Sequence, residues 1–165
     1  MLIAIISDIH DNLVNLEKFL TWSRDQEIEK IIFCGDTTTS DTAAYLADNF
    51  PGEIFVARGN IELYEEKELK PLKNINYGGE IGIIELDGLN IAFCHEPEKI
   101  ERALKIAPRN PDFIFYGHTH KPWLDKRGST IVANPGNLAN IFHQPTFAVL
   151  DTATRKLDLK ILADL

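Results

Sequence analysis

Up to Ala57 the chain alternates between short apolar runs and helical stretches, an order that few folds accept. Leu2–Ile6 is apolar at every position, which marks a strand covered on both faces. Asp11 or Asn12 can cap a helix running to about Gln26, with Leu13, Leu16, Phe19 and Leu20 along one face. Lys30–Cys34 reads as a second buried strand. Ser40 or Asp41 then opens another helix (Ala43, Ala44, Leu46, Ala47), which Pro51-Gly52 stops. Glu53–Ala57 is a third strand. A βαβαβ opening implies a parallel sheet with right-handed crossovers.

The second half is richer in hairpins. Ile81–Leu86 and Leu89–Cys94 flank Asp87-Gly88, a strong two-residue turn signal. Pro97 to about Ala107 is helical in pattern, with Ile100, Ala103, Leu104 and Ala107 on one face. Phe113–Tyr116 is a short buried strand closed by Gly117, and a hairpin through Arg127-Gly128 follows. After the turn Asn134-Pro135-Gly136-Asn137 comes a last antiparallel pair, Thr146–Leu150 and Lys156–Leu162. The charged stretch Glu62–Lys73 reads as a solvated helix closed by Pro71, with a lid or partner surface as the alternative. Two sheets packed face to face with helices outside are expected, in one domain over residues 1–165.

Composition narrows the function classes. The formal charge is −8, and no block of Lys and Arg offsets it. A long nucleic acid would therefore meet net repulsion. Cys34 and Cys94, each at the end of an apolar run, read as buried thiols in a reducing compartment. Met1–Ile6 is too short and lacks the basic flank of a signal peptide, and no apolar segment approaches a membrane span. A cytoplasmic location is expected.

The strand ends carry the chemistry. In order they supply Asp8 and His10, then Asp36, Asn60, His95, and finally His118 and His120. In open α/β sheets the carboxyl ends of strands are where ligands are held. Taken singly, each of these residues has an ordinary reading as a helix cap, a turn or a surface histidine. Collected, they are oxygen and nitrogen donors without a thiolate, suited to Mn²⁺, Fe²⁺, Zn²⁺, Ni²⁺ or Co²⁺. They are too many for one ion with room for substrate, and they suit two ions sharing a carboxylate. His143 falls outside the set and reads as a loop residue. Arg58 is a candidate for a phosphate oxygen, with a surface salt bridge as the alternative. Asn12 is a candidate for substrate, with helix capping as the alternative. Glu62 either orients a ligand or starts a solvated helix. Asn134 and Asn137 either orient ligands from behind or serve ordinary turn chemistry.

Asp8-Ile9-His10, Gly35-Asp36, Gly59-Asn60, His95 and Gly117-His118-Thr119-His120 resemble, in order, the five motifs of the calcineurin-like metallophosphoesterases. The opening Ile6–Leu13 and the segment Asn134-Pro135-Gly136 look like the compact bacterial and archaeal phosphodiesterase branch, to which the eukaryotic retromer subunit Vps29 also belongs. The resemblance implies a four-layer αββα sandwich of two mixed sheets flanked by helices. It also implies two divalent ions per chain, manganese first, with nickel, iron, zinc and cobalt as alternatives. By that analogy one ion takes Asp8, His10, Asp36 and His120. The other takes Asp36, Asn60, His95 and His118, so Asp36 bridges. Asp36, Asn60 and His95 are then catalytic as well as metal-holding. Two cations about 3.5–4 Å apart clamp the attacking and leaving oxygens of a phosphoryl displacement. The expected reaction is attack on a small phosphodiester by a hydroxide bridging the two metals. Two departures stand out. Ile61 occupies the position where many relatives place a leaving-group-protonating histidine, and compact members often place cysteine. His95-Glu96-Pro97 replaces the common His-Gly-His. The alternative is a scaffold that keeps the fold and metal site but acts by binding another protein, as Vps29 does. A homo-oligomer is left open.

Overall fold

A computed structural model describes residues 1–165. The chain runs β1 (Leu2–Ile6), α1 (Leu13–Asp25), β2 (Lys30–Phe33), α2 (Ser40–Asn49), β3 (Glu53–Val56), α3 (Glu66–Leu69), β4 (Ile75–Tyr77), β5 (Ile81–Leu86), β6 (Leu89–Cys94), α4 (Ile100–Ile106), β7 (Phe113–Phe115), β8 (Trp123–Arg127), β9 (Thr130–Asn134), β10 (Thr146–Asp151) and β11 (Lys156–Ile161). Six strands form one sheet in the order β11-β10-β1-β2-β3-β4, and five form the other in the order β5-β6-β7-β9-β8. Both sheets are mixed. β1 to β4 run parallel while β10 is antiparallel to β1. β6, β7 and β9 run parallel while β5 and β8 are antiparallel edges.

Side-chain alternation along each strand divides the apolar runs between layers. Ile3 and Ile5 of β1 and Ile32 of β2 face the second sheet, where they meet Phe93, Phe113 and Phe115. Ala4 and Ile6 point the other way, onto Leu16, Phe19 and Leu20 of α1 and Leu46 of α2. Beyond the second sheet, Ala92, Cys94 and Ile114 pack on Ile100 and Ala103 of α4. The order of layers is thus helix, sheet, sheet, helix, as the resemblance implied. No helix is long and apolar enough to cross a membrane. Cys34 and Cys94 are buried free thiols.

Local signals mostly act as read. Asn12 caps α1, its Oδ1 accepting from the Asn15 N–H at 3.1 Å. Asp87 (φ 49°) and Gly88 (φ 76°) make the left-handed turn between β5 and β6. One expectation needs correction. Glu62–Lys73 is not one helix. It holds a single turn, α3, opened by a reciprocal Glu65–Glu68 capping box, and β4 follows as an edge strand beside β3. The physical reason lies in burial and anchoring. Leu69 is the one buried side chain of α3. The Asn74 carboxamide donates to the carbonyls of Ala47, Phe50 and Gly52 at 3.0, 2.8 and 3.3 Å, which commits the next residues to extend along β3. The last hairpin returns to the first sheet. β10 joins the first sheet beside β1, because Phe147 completes the core under α1 while Ala148 and Leu150 face the second sheet.

Candidate metal centre

β1, β2 and β3 are parallel neighbours, so their carboxyl ends deliver Asp8, Asp36 and Asn60 to one edge of the first sheet. β6 and β7 likewise deliver His95 and the His118–His120 loop to the same edge of the second sheet. The loops are interlocked. The N–H groups of Ile9 and His10 both donate to the Asp36 carbonyl, at 2.9 and 3.1 Å. The chain turns so abruptly after each strand that Asp8 (φ 53°), His10 (φ 45°), Asp36 (φ 68°), His118 (φ 67°) and His120 (φ 58°) all adopt left-handed backbone. Such conformations are uncommon for residues with a side chain, and they gather at functional sites.

Two glycines make the approach possible. A Cβ on Gly59 would stand 2.0 Å from Asp36 Oδ1, and one on Gly117 would stand 1.9 Å from Ser7 Oγ and 2.8 Å from Asp8 Oδ2.

The donors form two groups with one carboxylate between them. In the first, Asp8 Oδ1 lies 3.2 Å from His120 Nε2 and 3.7 Å from His10 Nε2, and the two imidazole nitrogens are 3.2 Å apart. In the second, Asn60 Oδ1 lies 2.6 Å from His95 Nε2 and 2.8 Å from His118 Nδ1. Asp36 Oδ2 stands between them, 3.9 Å from His10 Nε2 and 3.2 Å from His95 Nε2. The other oxygens are tied back to the backbone. The Ile61 N–H donates to Asp36 Oδ1 at 2.9 Å and the His118 N–H to Asp8 Oδ2 at 3.0 Å. His95 Nδ1 lies 2.8 Å from the Cys34 carbonyl, which fixes the proton there and turns the Nε2 lone pair into the site.

These residues fit a cation. Asp8 Oδ1 is buried without a hydrogen-bond partner while facing two imidazoles, and an orphaned buried oxygen is costly unless a ligand satisfies it. The titration behaviour agrees. Burial opposes ionisation of Asp8, but His10 and His120 prevail and hold its carboxyl far below the usual carboxylate range. Burial opposes ionisation of Asp36 too, and His95 outweighs it. Burial disfavours the His95 imidazolium, yet Asp36 and Asp8 pull its pKa above the ordinary value. His120 is raised chiefly by Asp8. Protons thus stand where a cation would, held by the same carboxylates.

All of the strand-end donors converge here. Two other candidates lie differently. Both ends of the Asn12 carboxamide are engaged by the fold, Oδ1 in the cap and Nδ2 donating to the Ala139 carbonyl at 3.0 Å. Arg58 is exposed, its N–H bonded to the Gly79 carbonyl at 2.7 Å, and its side chain is neither in an ion pair nor on the wall of the site. Glu62 holds the Asn60 loop, accepting from the Gly59 N–H at 3.0 Å, and burial raises its pKa. Asn134 and Asn137 do brace the histidine loop from behind. Asn134 Nδ2 donates to the Gly117 carbonyl at 2.7 Å and Asn137 Nδ2 to the His120 carbonyl at 3.1 Å. Ile141 and Phe142, which with Ile61 line the roughly 310 Å³ cavity over the donors, are not legible in the sequence. The only available signal is their closeness to the Asn134–Asn137 turn.

A family model described as the calcineurin-like phosphoesterase superfamily domain matches residues 1–155. Phosphodiesterase MJ0936 of Methanocaldococcus jannaschii is 29% identical over 160 residues, covering 94% of this chain and 96% of the relative. The solved structure of an archaeal phosphodiesterase superposes with a TM-score of 0.86 at 26% identity, covering 98% of this chain and 99% of that one. Vps29 of Chaetomium thermophilum superposes with a TM-score of 0.70 at 18% identity, covering 98% and 92%, a likeness of fold alone.

Proposed function

The chain belongs to the calcineurin-like phosphoesterase superfamily, and from that premise we propose that it is a phosphodiesterase with a two-metal site, a single domain hydrolysing small phosphodiesters. One observation carries the two-metal reading. A single carboxylate oxygen, Asp36 Oδ2, faces a donor group on each side, 3.9 Å from His10 Nε2 and 3.2 Å from His95 Nε2. Asp8, His10, Asp36 and His120 would hold one divalent ion, and Asp36, Asn60, His95 and His118 the other. When bound, such ions supply the Lewis acidity that acidifies water and offsets phosphoryl charge, with manganese the first expectation.

The residues of the chain do the rest. Ile61 and His118 N–H groups hold the outer oxygens of Asp36 and Asp8 and so aim the inner ones. The Cys34 carbonyl fixes the His95 tautomer. Ile61 itself carries no proton to give, so the leaving group takes its proton from water, and esters with acidic leaving groups are favoured. The similarity to phosphodiesterase MJ0936 supports a diester substrate. The scaffold alternative draws on a likeness of fold only.

The test is hydrolysis of bis(4-nitrophenyl) phosphate by metal-stripped protein to which Mn²⁺, Ni²⁺, Zn²⁺ or Mg²⁺ is restored, with bound metal counted on the same samples. Metal-dependent turnover is expected, with loss of activity and of both ions in Asp36→Asn. Wild-type turnover in that variant would sink the shared-carboxylate reading.

A further inference from the structure

We propose that Phe142 is a stacking platform at the mouth of the metal centre, which makes the site select phosphodiesters bearing a flat aromatic ester group. This rests on the phosphodiesterase reading and names its substrate class. Phe142 is 91% exposed, yet it lines the cavity above the donors, with its ring centroid 5.9 Å from that of His120 at an interplanar angle of 48°. Isolated exposed hydrophobics are common and mean little. This one is held in place at a cost. It is the central residue of a three-residue turn in which the His143 N–H donates to the Ile141 carbonyl at 2.7 Å, and its φ is 61°. A tight turn with positive φ is rare and strained, and a bulky side chain adopts it as an outlier.

What over-determines the turn is Asn137, which is fully buried. Its Oδ1 accepts from the Ile141 N–H at 3.2 Å, and its Nδ2 donates to the carbonyls of His143 at 3.3 Å and His120 at 3.1 Å. The residue that seats a metal-holding histidine therefore also seats the phenyl ring. Backbone strain maintained by buried contacts is a mark of functional segments, and here the strained residue carries an aromatic face with nothing on its outer side.

Charge narrows the class further. No lysine or arginine lines the cavity, and Ile61 and Ile141 add apolar surface beside the ring. A singly charged diester needs no cation beyond the metals, whereas a monoester or diphosphate brings extra negative charge that no side chain here would meet. A planar ring on one ester oxygen would lie over Phe142 in the offset manner aromatic pairs prefer.

The test uses metal-loaded protein and two phosphinates that carry one negative charge and no hydrolysable ester bond. Dibenzylphosphinate has methylene groups in place of the ester oxygens of a diaryl diester, and dipropylphosphinate lacks the rings. By calorimetry the wild type should bind the benzyl compound roughly tenfold more tightly, the scale of a stacked aromatic pair. Phe142→Ala should erase most of that preference and Phe142→Trp should keep it, with the bound metal count unchanged in both. For bis(4-nitrophenyl) phosphate, Phe142→Ala should raise KM about as much and leave kcat within roughly twofold. An undiminished benzyl preference in Phe142→Ala would overturn the platform. Ring-dependent binding lost in Phe142→Ala, in a protein that hydrolyses no diester with any metal, would leave the platform standing and overturn the phosphodiesterase reading.

Discussion

At Asp8 and Asp36 the fold spends backbone strain to place charge. Each carboxylate has one oxygen tied to an N–H and one left facing imidazoles, so a proton or a metal must complete the site. Because His95 and His120 have folded pKa values above their ordinary 6.5, their stabilising contribution in metal-free protein is fully present below about pH 6.5 and is lost as pH rises through the raised values. Asp8 and Asp36 are depressed, so their contribution is present above the ordinary carboxylate range and fails only in stronger acid. A cation must displace the imidazole protons, so its affinity climbs through the same window in which the metal-free protein weakens. Denaturation midpoints measured between about pH 6 and 9 should therefore diverge with pH, falling without metal and holding or rising with Mn²⁺ in excess. Parallel curves would mean that the histidines do not carry the protons assigned to them. The strand-end donors were legible at this scale because they follow on apolar runs, whereas their division between two ions was implied only by the family resemblance. Phe142 was not legible, since phenylalanine disfavours the left-handed conformation it adopts, and it is held there by the His143–Ile141 backbone bond and by Asn137, which comes before the turn.

Among the elements, the sequence was clearest where apolar pattern and turn chemistry agreed, as in β1 with α1 or the hairpin around Asp87-Gly88. It misled where charge density was read as helix. The Glu62–Lys73 stretch has helix-forming residues, but Leu69 is its one fully buried apolar side chain, with Leu72 only partly covered, so one turn forms and the chain then extends as β4. Asn74 is the residue that fixes this outcome, because its carboxamide meets carbonyls at the end of α2 and before β3. Such a long-range cap has no local signature. Asn74→Ala should lower unfolding free energy by about 1–3 kcal/mol, the scale of buried acceptors left without donors. Metal affinity should stay unchanged, since Asn74 contacts none of the donors. Urea denaturation of the metal-free variant, alongside a metal titration, would check both halves. A variant as stable as the wild type would mean that water takes over the carbonyls and that β4 is held by its ladder alone.

Across the whole molecule, the donors come from both sheets, Asp8, Asp36 and Asn60 from one and His95, His118 and His120 from the other. The sheets otherwise meet through apolar contacts such as Ile5 and Ile32 with Phe93 and Phe115, so bound ions would act as polar staples across an oily seam. An ion that binds only the folded chain stabilises it by about 2.7 kcal/mol at a hundredfold excess over Kd. Since 1 kcal/mol shifts Tm by roughly 2–4 °C in a chain of this size, each filled site should add roughly 5–10 °C. On the proposed two-metal reading, with Asp36 shared, the two increments are separable by mutation. His10→Ala should remove the increment of the first site and His95→Ala that of the second, each leaving the other, whereas Asp36→Asn should remove most of both. Thermal melts of the four proteins with and without Mn²⁺ would read this directly. If Asp36→Asn kept a full metal-dependent shift while both histidine variants lost theirs, the carboxylate would not be the link between the sites, and the two-metal arrangement would have to be rebuilt around the imidazoles alone.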